Sequence, residues 1–239
     1  MKILCMADFH ISSWLETFIL IERIQQIPCV YEVVVIAGDL FERNFLDKND
    51  PYRVLKGIFP DLPVIFCLGN HEFVNKDYEQ VLDFFRREKS NIHCLDVEGN
   101  VQVGKYNFVG NALWYDDSMS IYARKVNYDF PTKKTSDYLF NPREKFEDCL
   151  QQIKDNCSNS RKNILVTHTC PHFSLNGHRH TGEGSNSYAG SINLLESLEF
   201  SYSICGHTHT PASSKVNGCY SINVGSCKGH FRYYLLDAS

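Results

Sequence analysis

The sequence predicts an α/β fold in which a parallel sheet of βαβ units packs against a second sheet, with helices outside. Three observations lead there. Short apolar runs rich in Val, Ile and Leu recur through the first third of the chain, each closed by a turn residue. Helix-like stretches separate those runs, as in a strand–helix–strand repeat. A further series of short apolar runs fills the last third, more strands than one simple parallel sheet needs.

Taken in order, Lys2–Ala7 is an apolar run ending at Asp8, Val33–Ala37 ends at Gly38-Asp39, and Val64–Leu68 ends at Gly69-Asn70-His71. Continuous apolar character over so few residues suits strands buried on both faces. Helices are expected over Trp14–Gln26, Pro51–Phe59 and Tyr78–Glu88. Next come Ile92–Leu95, Val101–Val103 and Asn107–Asn111, the last two flanking Gly104-Lys105, and all three are expected as antiparallel hairpin strands. Tyr115–Phe140 is polar, aromatic and irregular, the profile of a functional flap. Asn141-Pro142-Arg143-Glu144 supplies an N-cap, a proline at the first helical position and an early acid, so a helix should run to about Cys157. Ile164–Thr167, Tyr202–Cys205, Tyr220–Val224 and Arg232–Leu236 read as the closing strands. No composition shift marks an internal boundary, so residues 1–239 are expected to form a single domain.

Composition narrows the function classes. The net charge of −4 gives no general attraction to nucleic acid or anionic membrane, which makes long nucleic acid an unfavoured partner. No segment approaches the roughly 20 apolar residues of a membrane span. The run that opens the chain meets Asp8 too early for a signal peptide. Ten cysteines are scattered without a CxxC pair, several inside apolar runs, as expected of packing thiols in a reducing compartment. The expected location is cytoplasmic.

The chemistry stands at the strand ends. Asp8 and His10 follow the first strand, Asp39 the second, Asn70 and His71 the third; His168 follows a later strand, and His207 and His209 another. In α/β sheets the carboxyl ends of strands are where loops converge on one crevice. Carboxylate, imidazole and amide oxygen together suit borderline divalent ions such as Mn, Fe(II), Zn or Co. No cysteine is among these residues, which argues against a thiolate structural zinc. Seven ligands exceed the need of one open catalytic ion and match two ions sharing a carboxylate, a role open to Asp39. Such a pair favours in-line displacement at phosphorus by an activated water. His71, beside Asn70, is the candidate to protonate the leaving oxygen. Gly38, Gly69 and Gly206 each precede a ligand, where a sharp turn or a close backbone approach is easiest without a Cβ.

The ordered series Asp8-Phe9-His10, Gly38-Asp39, Gly69-Asn70-His71-Glu72, His168 and Gly206-His207-Thr208-His209 resembles the signature of the calcineurin-like metallophosphoesterase superfamily. The resemblance spans residues 8–209. It implies a four-layer α/β/β/α sandwich with two mixed sheets and the metals at its rim. It implies that Asp8, His10, Asp39 and His209 hold one ion, and that Asp39, Asn70, His168 and His207 hold the other. The nucleophile is then a hydroxide bridging the two ions. Asn70 would also touch the substrate phosphate, and His71 would be the proton donor. Arg43 resembles the phosphate-contacting arginine of the protein Ser/Thr phosphatase branch, but Asn44 stands where that branch has glycine and no His-Gly-Gly follows His168.

Two loops are expected to shape the mouth. One is 172–188, where His172 is a candidate substrate contact; the other is 115–140, which Trp114 and Tyr115 lead into either as part of the mouth or as buried anchors. His93 and His230 lie outside the motifs and are expected to be structural. The expected activity is hydrolysis of phosphate mono- or diesters, on a small phosphorylated substrate or nucleotide. The rivals are a small-nucleotide phosphodiesterase or nuclease, and a catalytically silent scaffold of the same fold, as the retromer scaffold relative of the superfamily illustrates. A decayed scaffold site should lack ligands, whereas all seven and His71 are present.

Overall fold

A computed structural model of the chain describes residues 1–86, 91–116, 118–119, 138–177, 190–191 and 194–238. Most of the expected flap over 115–140 and of the loop over 172–188 lies outside these residues.

The first sheet has the order β11-β1-β2-β3-β4. Its strands are β1 (Lys2–Met6), β2 (Val33–Ala37), β3 (Val64–Cys67), β4 (Ile92–Cys94) and β11 (Tyr234–Asp237). β1 to β4 pair in parallel and β11 runs antiparallel to β1. The crossovers carry α1 (Trp14–Gln25), α3 (Pro51–Ile58) and α5 (Tyr78–Phe85). The second sheet has the order β5-β6-β7-β8-β10-β9. It comprises β5 (Asn100–Val103), β6 (Tyr106–Asn111), β7 (Lys162–Thr167), β8 (Tyr202–Cys205), β9 (Ala212–Val216) and β10 (Cys219–Asn223). Its hairpins β5–β6 and β9–β10 are antiparallel, while β6, β7, β8 and β10 pair in parallel. α7 (Pro142–Asn156) crosses between β6 and β7. Both sheets are therefore mixed and flanked by helices, as expected.

The unbroken apolar runs now have their reason. Alternate residues of each central strand serve two cores. Ile3, Cys5, Ala7, Val33, Val35, Ala37, Ile65 and Cys67 face the second sheet, where Tyr106, Phe108, Ile164, Val166, Ile204 and Ile222 meet them. Leu4, Met6, Val34, Ile36, Val64 and Phe66 pack with the helices. Small side chains at Ala7, Ala37 and Cys67 bring the carboxyl ends of the strands close to the opposite sheet. Each crossover helix is capped locally: Ser13 before α1, Asp50 before α3, Asp77 before α5 and Asn141 before α7 accept backbone N–H bonds.

Two differences from the sequence reading have simple causes. Ile92–Cys94 pairs in parallel with β3 and belongs to the first sheet, not to an antiparallel hairpin. Its short apolar pattern carries no direction, and the crossover through α5 decides it. Ala212–Val216 forms the edge strand β9, which a run of Ser and Lys conceals. The one-turn helices α2 (Arg43–Leu46), α4 (Asn70–Phe73), α6 (Leu95–Glu98) and α8 (Leu194–Ser197) also escape periodicity. Trp114 and Tyr115 are buried anchors: the indole meets Phe73, Tyr138 and Phe140 edge-to-face. All ten cysteines are free and eight are buried. Among the described residues, no helix is long and apolar enough to cross a membrane.

One buried carboxylate ties the two sheets at the end where the ligands emerge. Asp96 accepts from Leu68 N, just past β3, at 2.7 Å and from Ala112 N, just past β6, at 2.8 Å. Burial pushes its carboxyl up to about 7, against the pull of those two N–H groups. Asp96→Ala leaves both N–H groups buried and unpaired. We expect a loss of roughly 2–6 kcal/mol, measured by urea unfolding. A loss below about 0.5 kcal/mol would show that the clamp is dispensable.

Candidate functional site

Asp8, His10, Asp39, Asn70 and His71 leave the first sheet, and His168, His207 and His209 leave the second, at one end of the sandwich. The chain turns there at a conformational cost. Asp8 (φ 53°), His10 (48°), Asp39 (49°), His207 (68°) and His209 (55°) all adopt the left-handed region that non-glycine residues avoid. Each such residue costs roughly 1–3 kcal/mol, and the clustering of five marks a place where function overrides backbone preference. Gly38 (φ 79°) shares that geometry, and a Cβ there would overlap the His168 ring. A Cβ on Gly206 would overlap Asp8 Oδ2. These glycines let ligands from one sheet approach the backbone of the other.

Asp39 is buried at the centre. Its Oδ2 lies 3.5 Å from His10 Nε2, 3.4 Å from His168 Nε2 and 3.9 Å from His71 Nε2. On one side, donor atoms of Asp8, His10, Asp39 and His209 all lie within 4.8 Å of one another. On the other, His168 Nε2 faces Asn70 Oδ1 at 2.9 Å and His207 Nδ1 at 3.1 Å. The structure thus brings all seven sequence-predicted ligands together, in two groups that meet at Asp39.

The hydrogen bonds fix which atoms face inward. His168 Nδ1 lies 3.0 Å from Ala37 O, a carbonyl that only accepts, so this nitrogen donates and Nε2 presents a lone pair. His10 Nδ1 lies 3.1 Å from Glu42 Oε1, which likewise leaves His10 Nε2 as a lone pair. That lone pair faces His209 Nε2 at 3.1 Å. His207 N holds Asp8 in place, donating to Oδ2 at 3.0 Å and Oδ1 at 3.2 Å. The Nε2 lone pairs of His10 and His168 therefore converge beside the Asp39 carboxylate, with nitrogens of His209 and His207 facing them. A convergence of carboxylate, amide and imidazole groups without thiolate suits borderline divalent ions such as Mn, Fe(II), Co or Zn. The residues fit two divalent ions.

The electrostatics agree. Burial works to raise the Asp39 carboxyl, but the adjacent imidazoles, His168 foremost, hold it well below the carboxylate range. Burial works to lower His168, yet Asp39 overrides it and pushes the imidazole up to about 10. Burial lowers His10, and Asp39 opposes. A cation bound there would take over the charge that the proton on His168 supplies.

Other residues complete the arrangement. Glu42, which sequence reasoning passed over, accepts from His10 Nδ1 through Oε1 and from His71 Nδ1 through Oε2, both at 3.1 Å. Lys228 Nζ also reaches Oε1, at 3.2 Å. Burial opposes ionisation of Glu42, but its bonds to His71 and Lys228 hold the carboxyl below its usual value. The one sequence signal was its place three residues past the candidate ligand Asp39. Glu72 is buried and accepts from Phe41 N at 2.9 Å and Gly69 N at 2.7 Å, joining the Asp39 and Asn70 loops. Burial, with Asp39 nearby, pushes its carboxyl up to about 8. Asn223 Nδ2 donates to Gly206 O, Thr208 Oγ1 and Leu175 O at 2.9–3.0 Å, bracing the turn that carries His207 and His209.

The three remaining candidates fall in different places. His71 donates from its backbone N to Asp39 Oδ1 at 2.9 Å, and its half-exposed ring stands on the rim beside His10. Arg43 is not turned to the cluster: its Nε pairs with Asp47, the residue that caps the end of α2, at 3.7 Å. His172 caps the short 3-10 turn Phe173–Leu175, its Nδ1 accepting from Ser174 N at 3.1 Å. His93 pairs with Glu98 at 3.0 Å, away from the site.

Known proteins share this frame. The phosphopantetheinyl hydrolase of Mycobacterium tuberculosis superposes with a TM-score of 0.72 at 14% identity, covering 100% of this chain and 96% of its own. A Thermus thermophilus protein designated TT1561 gives 0.60 at 16%, covering 99% and 93%. A dimetal phosphatase from Danio rerio gives 0.55 at 12%, covering 98% and 91%. At these identities the likeness is one of fold. No curated protein matches the chain by sequence. The sequence profile of the calcineurin-like phosphoesterases, however, matches residues 1–211, a span that contains every ligand candidate just described. The chain belongs to the calcineurin-like phosphoesterase family.

Proposed function

We propose that this protein is a two-metal phosphoesterase that hydrolyses small phosphate mono- or diesters without a covalent phosphoenzyme. The observation that carries the reading is the pair of carboxylate- and imidazole-bearing groups that meet at Asp39 Oδ2. Asp8, His10, Asp39 and His209 would hold one ion, and Asp39, Asn70, His168 and His207 the other. Divalent ions there would supply polarisation of the phosphoryl oxygens and a hydroxide nucleophile near neutral pH. The remaining work falls to the protein. Asn70 directs Oδ1 at His168, which leaves its Nδ2 hydrogens for a phosphate oxygen. His71, held through Nδ1 by Glu42, presents Nε2 to the leaving oxygen and delivers its proton. Glu42 fixes the rings of His10 and His71 together, so one carboxylate orients a ligand and the proton donor. Buried thiols and the absence of a basic tract from the sequence support a cytoplasmic enzyme for small substrates.

The test compares Mn-stimulated hydrolysis of p-nitrophenyl phosphate and bis-p-nitrophenyl phosphate. Turnover of either supports the enzyme, and the ratio assigns mono- or diesterase character. Turnover of neither, with no bound metal by elemental analysis, would leave the scaffold reading in its place.

Metal binding should also be visible as stability. An ion that binds only the folded chain adds about 2.7 kcal/mol at a hundredfold excess over Kd. For a chain of this length that corresponds to a rise in Tm of roughly 5–10 °C. We expect Mn to raise Tm by this order and a chelator to reverse it. An unchanged Tm in saturating Mn, Fe(II), Co and Zn alike would contradict the metal site.

A further inference from the structure

The geometry points to a second recognition site: the pocket between α2 and α5 binds an oxyanion, carboxylate or phosphate, carried on the leaving alcohol of the substrate. This rests on the phosphoesterase reading above and adds a substrate class to it.

The pocket has a volume of about 370 Å³, within the range of small-ligand sites. Arg43, Asp47, Asn75, Lys76 and Gln80 supply its polar groups, and the buried Leu46 and Val81 its apolar lining. Asp47 is the single carboxylate among them and meets both cations: Lys76 Nζ at Oδ1, and Arg43 Nε at Oδ2, 3.7 Å away. Two cations against one anion leave a surplus positive charge. The Arg43 ion pair uses Nε alone, so both Nη groups remain for a planar oxyanion. Simple cross-linking of α2 to the α4–α5 turn would need one cation and one carboxylate. The second cation, and two carboxamides around an open volume, exceed that need.

The position follows the chemistry. Arg43 comes directly after Glu42, whose carboxylate holds the His71 ring. Asn75 and Lys76 follow α4, the helix that begins with Asn70 and His71. Asn75 takes a left-handed turn (φ 52°), and Lys76 then meets Asp47. Both walls of the pocket are thus continuations of the segments that carry the proton donor and its carboxylate. Arg43, which the family resemblance suggested as a contact of the reacting phosphate, acts here on a distal anion instead.

The experiment uses the Mn-loaded full chain with phenyl phosphate, 4-carboxymethylphenyl phosphate and the bisphosphate of the corresponding hydroquinone. In the native protein kcat/KM should favour the two acidic esters. In Lys76→Gln and in Arg43→Gln that preference should fall by about tenfold or more, the size of one charge-assisted hydrogen bond. The change should lie in KM, and Arg43→Lys should restore part of it. Comparing the acidic esters with each other separates carboxylate from phosphate recognition. An equal loss on phenyl phosphate, or an unchanged preference in both variants, overturns the subsite while the phosphoesterase reading stands. No turnover of any ester by the native protein sinks that reading, and the subsite with it.

Discussion

Asp39→Asn should release both metal ions and abolish hydrolysis while leaving the chain folded. The expectation follows from one atom. Asp39 Oδ2 lies within 3.5 Å of both His10 Nε2 and His168 Nε2, so it belongs to both ligand groups. The other oxygen is occupied by His71 N at 2.9 Å. An asparagine that keeps this last bond places its NH₂ where Oδ2 stood. That group donates to the two imidazole lone pairs, satisfies them, and repels a cation. The variant should stay folded but lose part of its metal-free stability, because the buried Asp39–His168 ion pair has gone while the freed imidazole lone pairs find new donors. Hydrolysis should fall by at least about 10²–10³-fold, the scale of losing a principal electrostatic stabiliser. Elemental analysis after dialysis against Mn, with Tm in chelator and in Mn, gives the readout. Two full equivalents of metal in the variant would contradict the shared carboxylate.

His71→Asn should separate proton donation from metal binding. The imidazole is half exposed, and its Nδ1 is held by Glu42. Metal content and the Mn-dependent rise in Tm should survive, while kcat falls by roughly 10²–10⁴-fold on alkyl phosphates. The loss should shrink on p-nitrophenyl phosphate, whose leaving phenolate needs little help from a proton. That dependence on the leaving group identifies a general acid, since a merely structural residue would slow all esters alike. His10, Glu42 and His71 also present a close group of donor atoms, beside that of Asp8, His10, Asp39 and His209. Loss of metal in His71→Asn would mean that this trio binds an ion. Its nitrogens and oxygens already satisfy one another, with Nδ1 of each ring donating to one oxygen of Glu42, and so we assign it as a hydrogen-bonded relay.

Much of this was legible before folding, and the reasons differ by element. β1, β2 and β3 could be read because strands buried on both faces are apolar at every position. α7 could be read because Asn141 and Pro142 set its start through local hydrogen bonding and a fixed φ. The seven ligand candidates could be read because each follows such a strand. β9 could not, because an edge strand with Ser and Lys exposes one face and loses its apolar signature. Glu42 was hidden for another reason. A carboxylate just past a strand end reads as a surface charge until the His10 and His71 rings are seen to converge on it.

The amino-acid order by itself settled which residue types stand at the strand ends and that they include no thiolate, because strand, turn and cap preferences act over a few neighbouring residues. Only the tertiary structure decided that His10 and His209, 199 positions apart, face each other, that Asp39 Oδ2 lies beside both His10 and His168, and that Arg43 turns to Asp47. Those facts depend on how closely two sheets pack through Ala7, Ala37 and Cys67, and on which nitrogen of each imidazole finds an acceptor. Such choices are made by distances between segments, and no local pattern encodes them.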